Sequence, residues 1–219
     1  LADSAKALII DYGMGNLRSV EKAVEAVGGT PSISPDPDAV RNAERLILPG
    51  VGAFGDAMEN LRQRGLDRAI CEAVQEGKPL LGLCLGLQLL FSQSEEFGLH
   101  QGLNLIPGKV LRFDEAGLRV PHVGWNQIEG ESPNPLLEGI PDRSYFYFVH
   151  SFYVVPENPG HVLRWTTYGR RFCSIACKDR VWGAQFHPEK SQDVGKRLLR
   201  NFMSLYRRNR GIEGKRGIG

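Results

Sequence analysis

The first half of the chain alternates two hydrophobic patterns. Short apolar runs occur at Ala7–Ile10, Arg45–Leu48 and Lys78–Leu83. The first runs into the turn Asp11–Asn16 and the second into Pro49–Gly52. Runs of this length bounded by turn residues fit strands buried on both faces. Between them, apolar positions recur every three or four residues. Leu17, Val20, Val24 and Val27 fall on one helix face, and Gly28–Gly29 ends that helix. The spacing also predicts a weak strand over residues 31–35, a helix from Phe54 to Ala73, and a helix from Gly86 to Phe91 directly after the third run. Strands alternating with helices imply a parallel sheet covered on both faces.

From about residue 107 the period shortens. Residues 109–113, 145–155, 161–167, 172–177 and 181–186 are strand-like, with turn chemistry at Tyr168–Gly169 and Lys178–Arg180. A last helix is predicted over Ser191 to Arg207, with Ser191 as its cap and Val194, Leu198, Phe202 and Leu205 as its apolar stripe. The expected fold is therefore α/β. Its centre is an open, mostly parallel sheet flanked by helices, a flavodoxin-like core, with additional antiparallel strands in the second half. One domain is expected over residues 1–208, followed by a disordered, basic and glycine-rich tail at 209–219.

Composition narrows the function classes. The 219 residues are 42% hydrophobic and 24% charged, an ordinary globular balance. A net charge of +2 gives no support to a dedicated nucleic-acid or membrane-surface binder. The longest apolar stretch, Pro79–Leu90, is too short for a membrane helix and is broken by glycines and Gln88. Leu1–Ser4 shows no signal-peptide pattern. Cys71, Cys84, Cys173 and Cys177 lack zinc-site spacing, so neither metal nor cofactor is expected. A cytoplasmic enzyme with unpaired thiols is the expectation.

Two segments carry chemistry. Gly82–Gly86 has the form glycine, any residue, nucleophile, any residue, glycine, with Cys84 as the nucleophile. Placed between a buried strand and a helix, it makes a strained elbow that lifts the sulfur above the sheet. The helix N-terminus favours thiolate over thiol. The Leu85 N–H is a candidate donor to the oxygen of an attacked carbonyl. In the second segment, Gln185–Lys190, His187 and Glu189 are two residues apart, and an extended backbone projects both to one side. A carboxylate beside an imidazole fixes its tautomer, the task of the third member of a triad. The glycine-rich turn Pro49–Gly55, with Val51 and Gly52, could supply a second N–H to an anion.

An elbow cysteine, Gln88 one turn into the following helix, and His187-Pro188-Glu189 together resemble the class I (triad) glutamine amidotransferases over residues 7–206. The segments Asp11–Asn16, Pro121–Asn126, Tyr147–Ser151 and Phe186–Ser191 are similar to those of the glutaminase subunits of imidazole glycerol phosphate synthases. The resemblance implies hydrolysis of L-glutamine through a thioester on Cys84, with His187 as acid and base, Glu189 orienting it, and the oxyanion held at Leu85 and at Val51–Gly52. It implies substrate contacts at Gly50, Gly52, Gln88, Ser151 and Phe152. It also implies a heterodimer with a (β/α)8-barrel cyclase of histidine biosynthesis, meeting it near Asn16, His122, Trp125 and Lys190. Three rivals remain: the glutaminase of another class I synthase, a non-catalytic nucleotide-binding module resting on Gly13 and Gly15, and a pseudo-enzyme that only scaffolds a partner, against which the intact Cys84, His187 and Glu189 argue. The nucleotide-binding module lacks its third glycine, since Arg18 holds that place.

Overall fold

Why the chemical segments meet follows from the order of strands in one sheet. The structure, a computed structural model, describes residues 4–114 and 116–205. Its first half runs β1 (Lys6–Ile10), α1 (Leu17–Ala26), β2 (Thr30–Ser34), α2 (Pro37–Asn42), β3 (Leu46–Leu48), α3 (Phe54–Gln63), α4 (Leu66–Gln75), β4 (Leu80–Leu83) and α5 (Leu85–Leu89). Then follow β5 (Phe91–Ser94), β6 (His100–Gln101), β7 (Ile106–Arg112), β8 (His122–Gln127), β9 (Tyr145–His150), β10 (Phe152–Pro156), β11 (Val162–Tyr168), β12 (Arg170–Lys178), β13 (Val181–Ala184) and α6 (Gln192–Ser204).

The main sheet has the order β2-β1-β3-β4-β13-β12-β10-β7-β5-β6, with β11 also paired to β12. From β2 to β13 every pairing is parallel, as the alternating pattern predicts. Beyond β13 the pairings to β12, β10 and β7 are antiparallel. Strands β8 and β9 form a separate antiparallel pair. The parallel strands bury both faces. Leu8, Ile10, Leu46 and Leu48 pack with Phe54, Leu61 and Ile70 of α3 and α4. Ile9, Ile47, Leu81 and Leu83 pack on the other side with Val24 of α1 and Leu198 and Phe202 of α6. Among the described residues no helix is long and apolar enough to cross a membrane.

Four boundaries depart from the periodicity. The helix predicted over 54–73 is two helices, because Gly65 adopts φ +67° and turns the chain between α3 and α4. The strand predicted over 145–155 is also two, and they belong to different sheets: β9 pairs with β8, whereas β10 pairs with β7 and β12. Ser151 is the hinge residue between them. The helix expected to reach Phe91 stops at Leu89, and Phe91 opens β5. The last helix starts at Gln192. It ends at Ser204, short of the expected Arg207, because Leu205 takes an extended backbone; the tail at 209–219 lies outside the described residues.

Candidate active site

Cys84 stands between β4 and α5 with φ 55° and ψ −110°, a left-handed-side backbone that a non-glycine residue adopts at a cost of ~1–3 kcal/mol. Its N–H donates to the Ala184 carbonyl at 2.8 Å, tying the elbow to the end of β13. Gly86 lets α5 start against β3: a Cβ there would collide with the Leu48 carbonyl. Gly86→Ala is accordingly expected to destabilise the fold by about 3 kcal/mol, at the upper end of overpacking costs. A urea titration checks this through the fall in midpoint.

His187 arrives at the same edge because β13 is the parallel neighbour of β4, with Leu83 opposite Ala184. The His187 N–H donates to the Tyr147 carbonyl at 2.9 Å. Ser191, predicted as a helix cap, makes no capping bond. Its hydroxyl donates to the His187 carbonyl at 2.6 Å and accepts the Tyr147 N–H at 3.0 Å. The hydroxyl therefore staples the histidine turn to β9 instead of closing α6. The imidazole Nδ1 lies 2.8 Å from Glu189 Oε1, and the ring is electrostatically coupled to Cys84. The two side chains are only 8% and 3% exposed, so this pair is poorly screened by solvent. The three predicted triad residues are thus brought to one edge of the sheet, with a hydrogen bond between His187 and Glu189 and Cys84 coupled to the ring by charge.

Burial alone would lower the pKa of His187. Pairing with Cys84 and with Glu189 outweighs it and raises His187 from 6.5 to about 10. A folded-state value above the unfolded one stabilises the fold fully below pH 6.5, and that stability is lost as pH rises through about 10. Urea midpoints of the wild type and Glu189→Gln at pH 6 and pH 10 are expected to differ more at pH 6 than at pH 10.

The turn Pro49–Gly52 leaves β3 beside the elbow. Gly50 is buried, whereas Val51 is 44% exposed. An atom built as a Cβ on Gly50 would lie 2.8 Å from Leu85 Cβ and 2.9 Å from the Gly86 nitrogen. The predicted oxyanion residues Val51, Gly52 and Leu85 therefore come from two backbone segments in contact. Gly50 and Val51 share a small cavity with Asn16, Leu83, His187 and Glu189. Glu189 Oε2 has no hydrogen-bond partner among the described residues.

Gln88, Ser151 and Phe152 are also brought together. The Gln88 Nε2 group donates to the Phe152 carbonyl at 3.1 Å and to Gln185 Oε1 at 3.2 Å. Gln185 Nε2 reaches the Cys84 sulfur at 3.9 Å, and the thiol points to the Val149 carbonyl at 3.6 Å. Gln88 thus ties the Ser151–Phe152 segment to the elbow, with its Oε1 not engaged in these bonds. Gln185, fully buried, was legible only as a neighbour of the histidine. Its contact with sulfur has no local signature along the chain.

A second polar line passes behind this segment. His150 Nδ1 lies 2.8 Å from the Phe152 carbonyl, so it must donate. His150 Nε2 then accepts from His122 Nδ1 at 2.9 Å, and His122 Nε2 accepts from Asn126 at 3.2 Å. Burial pushes His122 down to about 4, and burial is the main cause that pushes His150 down to about 3. Both rings are therefore neutral near pH 7, as the bond directions require. His122 departs from its expected place at a partner surface: it is 3% exposed and stacked between Phe148 and Tyr168, at 4.9 and 4.0 Å. Asn16 and Lys190 are exposed. Trp125, 46% exposed, stands with Val123 and Tyr145 on the outward face of β8 and β9.

Comparison with known proteins now decides the family. The description "Glutamine amidotransferase class-I" matches residues 8–205. The chain belongs to the class I glutamine amidotransferase family. It is 54% identical over 201 residues to "Imidazole glycerol phosphate synthase subunit HisH" of Syntrophotalea carbinolica, covering 89% of this chain and 98% of that protein. A protein of the same name from Moorella thermoacetica is 52% identical over 199 residues, covering 91% and 94%. Among solved structures, PurLQS from Thermotoga maritima superposes with a TM-score of 0.75 at 20% identity, covering 91% of this chain and 98% of that one. That likeness is one of fold.

Proposed function

We propose that this amidotransferase is the glutaminase subunit of an imidazole glycerol phosphate synthase, hydrolysing L-glutamine to glutamate and ammonia in the cytoplasm. The observation that carries the chemistry is the buried His187–Glu189 hydrogen bond, at 2.8 Å, at the sheet edge that holds the Cys84 elbow. The Cys84 sulfur attacks the side-chain amide carbon, and the C–N bond breaks. His187 takes the thiol proton and delivers it to the departing nitrogen, and a thioester remains. His187 then takes a proton from water, whose oxygen attacks the thioester and releases glutamate. Glu189 keeps Nδ1 protonated so that Nε2 faces the reacting atoms. The oxyanion of each tetrahedral intermediate is received by the Leu85 N–H and an N–H of Val51 or Gly52. Gly50, Gly52, Gln88, Ser151 and Phe152 hold the glutamine.

The ammonia serves a partner. The names of the relatives, each a synthase subunit at half-identity or better, support a cyclase, and we assign it a (β/α)8 barrel bound as a heterodimer. The exposed apolar face of Val123, Trp125 and Tyr145 supports the docking site. It lies one strand from the nucleophile, since β9 supplies the Val149 carbonyl that the thiol meets. Large aromatic anchors of this kind dominate interface energies. Ammonia release from glutamine, measured with and without the cyclase subunit and its ligand, tests the pairing. Activation by the partner is expected, and equal rates in both conditions would defeat it. Trp125→Ala is expected to weaken cyclase binding by about 2 kcal/mol, roughly 30-fold in Kd, measured by calorimetric titration.

A further inference from the structure

Tyr12 lies in the loop between β1 and α1, outside the triad, and is fully buried. Its hydroxyl donates to the Pro49 carbonyl at 2.9 Å. The atom built as a Cβ on Gly50 would lie 2.7 Å from that hydroxyl, as well as against Leu85 and Gly86. The turn is therefore clasped between the phenol on one side and the first residues of α5 on the other, with no space for a methyl group. At the other end of the turn, Met14 Cε occupies the position a Gly52 side chain would take, 2.6 Å away. Burial, and then the neighbouring Cys84, push the phenol above its ordinary pKa, so it keeps its proton and remains a donor.

We propose that Tyr12 is a positioning residue that fixes the turn Pro49–Gly52 against Leu85, and thereby the spacing of the two backbone donors that receive the oxyanion. The Pro49 carbonyl and the Gly50 N–H belong to one planar peptide, so holding the oxygen fixes where the turn begins. Donors act only when ~2.7–3.1 Å from the developing oxyanion. A misplacement of about 1 Å costs on the order of 10²-fold. Without the hydroxyl, the Pro49 carbonyl loses its buried partner and the peptide is free to turn. The inference rests on the oxyanion assignment made above.

The test is Tyr12→Phe, which keeps the ring, in the full chain with its synthase partner bound. Four quantities are measured: kcat and KM for glutamine, affinity for L-glutamate γ-semialdehyde, and alkylation of the Cys84 peptide by iodoacetamide. The aldehyde adds the Cys84 sulfur to its carbonyl carbon and places a tetrahedral oxygen among the donors. Alkylation forms an S–C bond with loss of iodide and uses no oxyanion. We expect kcat and aldehyde affinity to fall together, by roughly 10- to 100-fold. KM and the alkylation rate should stay within about twofold, since neither depends on the transition-state donors. Gly50→Ala, which wedges the turn off the elbow, should also lower kcat and aldehyde affinity, with a rise in KM as well because Gly50 touches the glutamine. Unchanged kcat and aldehyde affinity in Tyr12→Phe would overturn the proposal, as would an alkylation rate falling in step with kcat. If the wild type binds the aldehyde no better than glutamine, the oxyanion assignment itself fails. Tight aldehyde binding by both proteins removes only the role of Tyr12.

Discussion

Cys84→Ala is expected to reduce glutamine hydrolysis by 10⁴-fold or more, roughly to background, while leaving the fold in place. No other described group can replace the sulfur at this spot. Cys71 lies on α4, and Cys173 lies fully within the sheet, where burial raises its pKa far above the ordinary thiol value. Cys177 is pushed up to about 11, chiefly by burial. Removing the Cys84 side chain also relieves little of the backbone strain, because alanine carries the same Cβ into φ 55°. Thermal midpoints close to wild type, together with lost turnover, are the expected pair of results. If the partner complex is assayed with added ammonium salt in place of glutamine, synthase activity should persist, since only the supply of ammonia has been cut.

The second large effect is expected at Glu189. Glu189→Gln keeps the size of the side chain but can present its amide group to Nδ1, which stabilises the wrong tautomer. His187 then turns a protonated nitrogen towards the sulfur and cannot take the thiol proton. A loss on the order of 10³-fold in kcat is expected, with KM within a few-fold. The buried setting makes the effect large, because the pair is 8% and 3% exposed and water cannot stand in for the carboxylate. Steady-state kinetics near pH 7 provide the check. A loss below tenfold would mean that Glu189 is a structural neighbour of the histidine and not its orienting group.

The parallel half of the fold was legible because its strands are buried on both faces and read as unbroken apolar runs. The elbow was legible because the close approach of Gly86 to Leu48 demands glycine, and that demand is written in the sequence. The His187–Glu189 pair was legible because its partners are two residues apart. What escaped the sequence depends on distant partners. Tyr145–Val155 reads as one strand, since nothing local reveals that β9 and β10 leave Ser151 for different sheets. Ser191 reads as a helix cap, yet its hydroxyl serves His187 and Tyr147 instead. His122 sits in a segment with an exposed tryptophan. Its own burial follows from alternation along β8, which sends Val123 and Trp125 outward and His122 inward against Phe148 and Tyr168. Gln185 and Tyr12 act through contacts with residues 101 and 37 positions away, and no spacing rule reports these.

The most direct measurement is to capture the intermediate. The complex turning over isotope-labelled glutamine is quenched in acid within milliseconds, and its peptides are analysed by mass. The account predicts a glutamyl adduct on the Cys84 peptide that rises during turnover, hydrolyses at neutral pH and is absent from Cys84→Ala. Active turnover with no adduct on Cys84, or with the label carried by another residue, would contradict it.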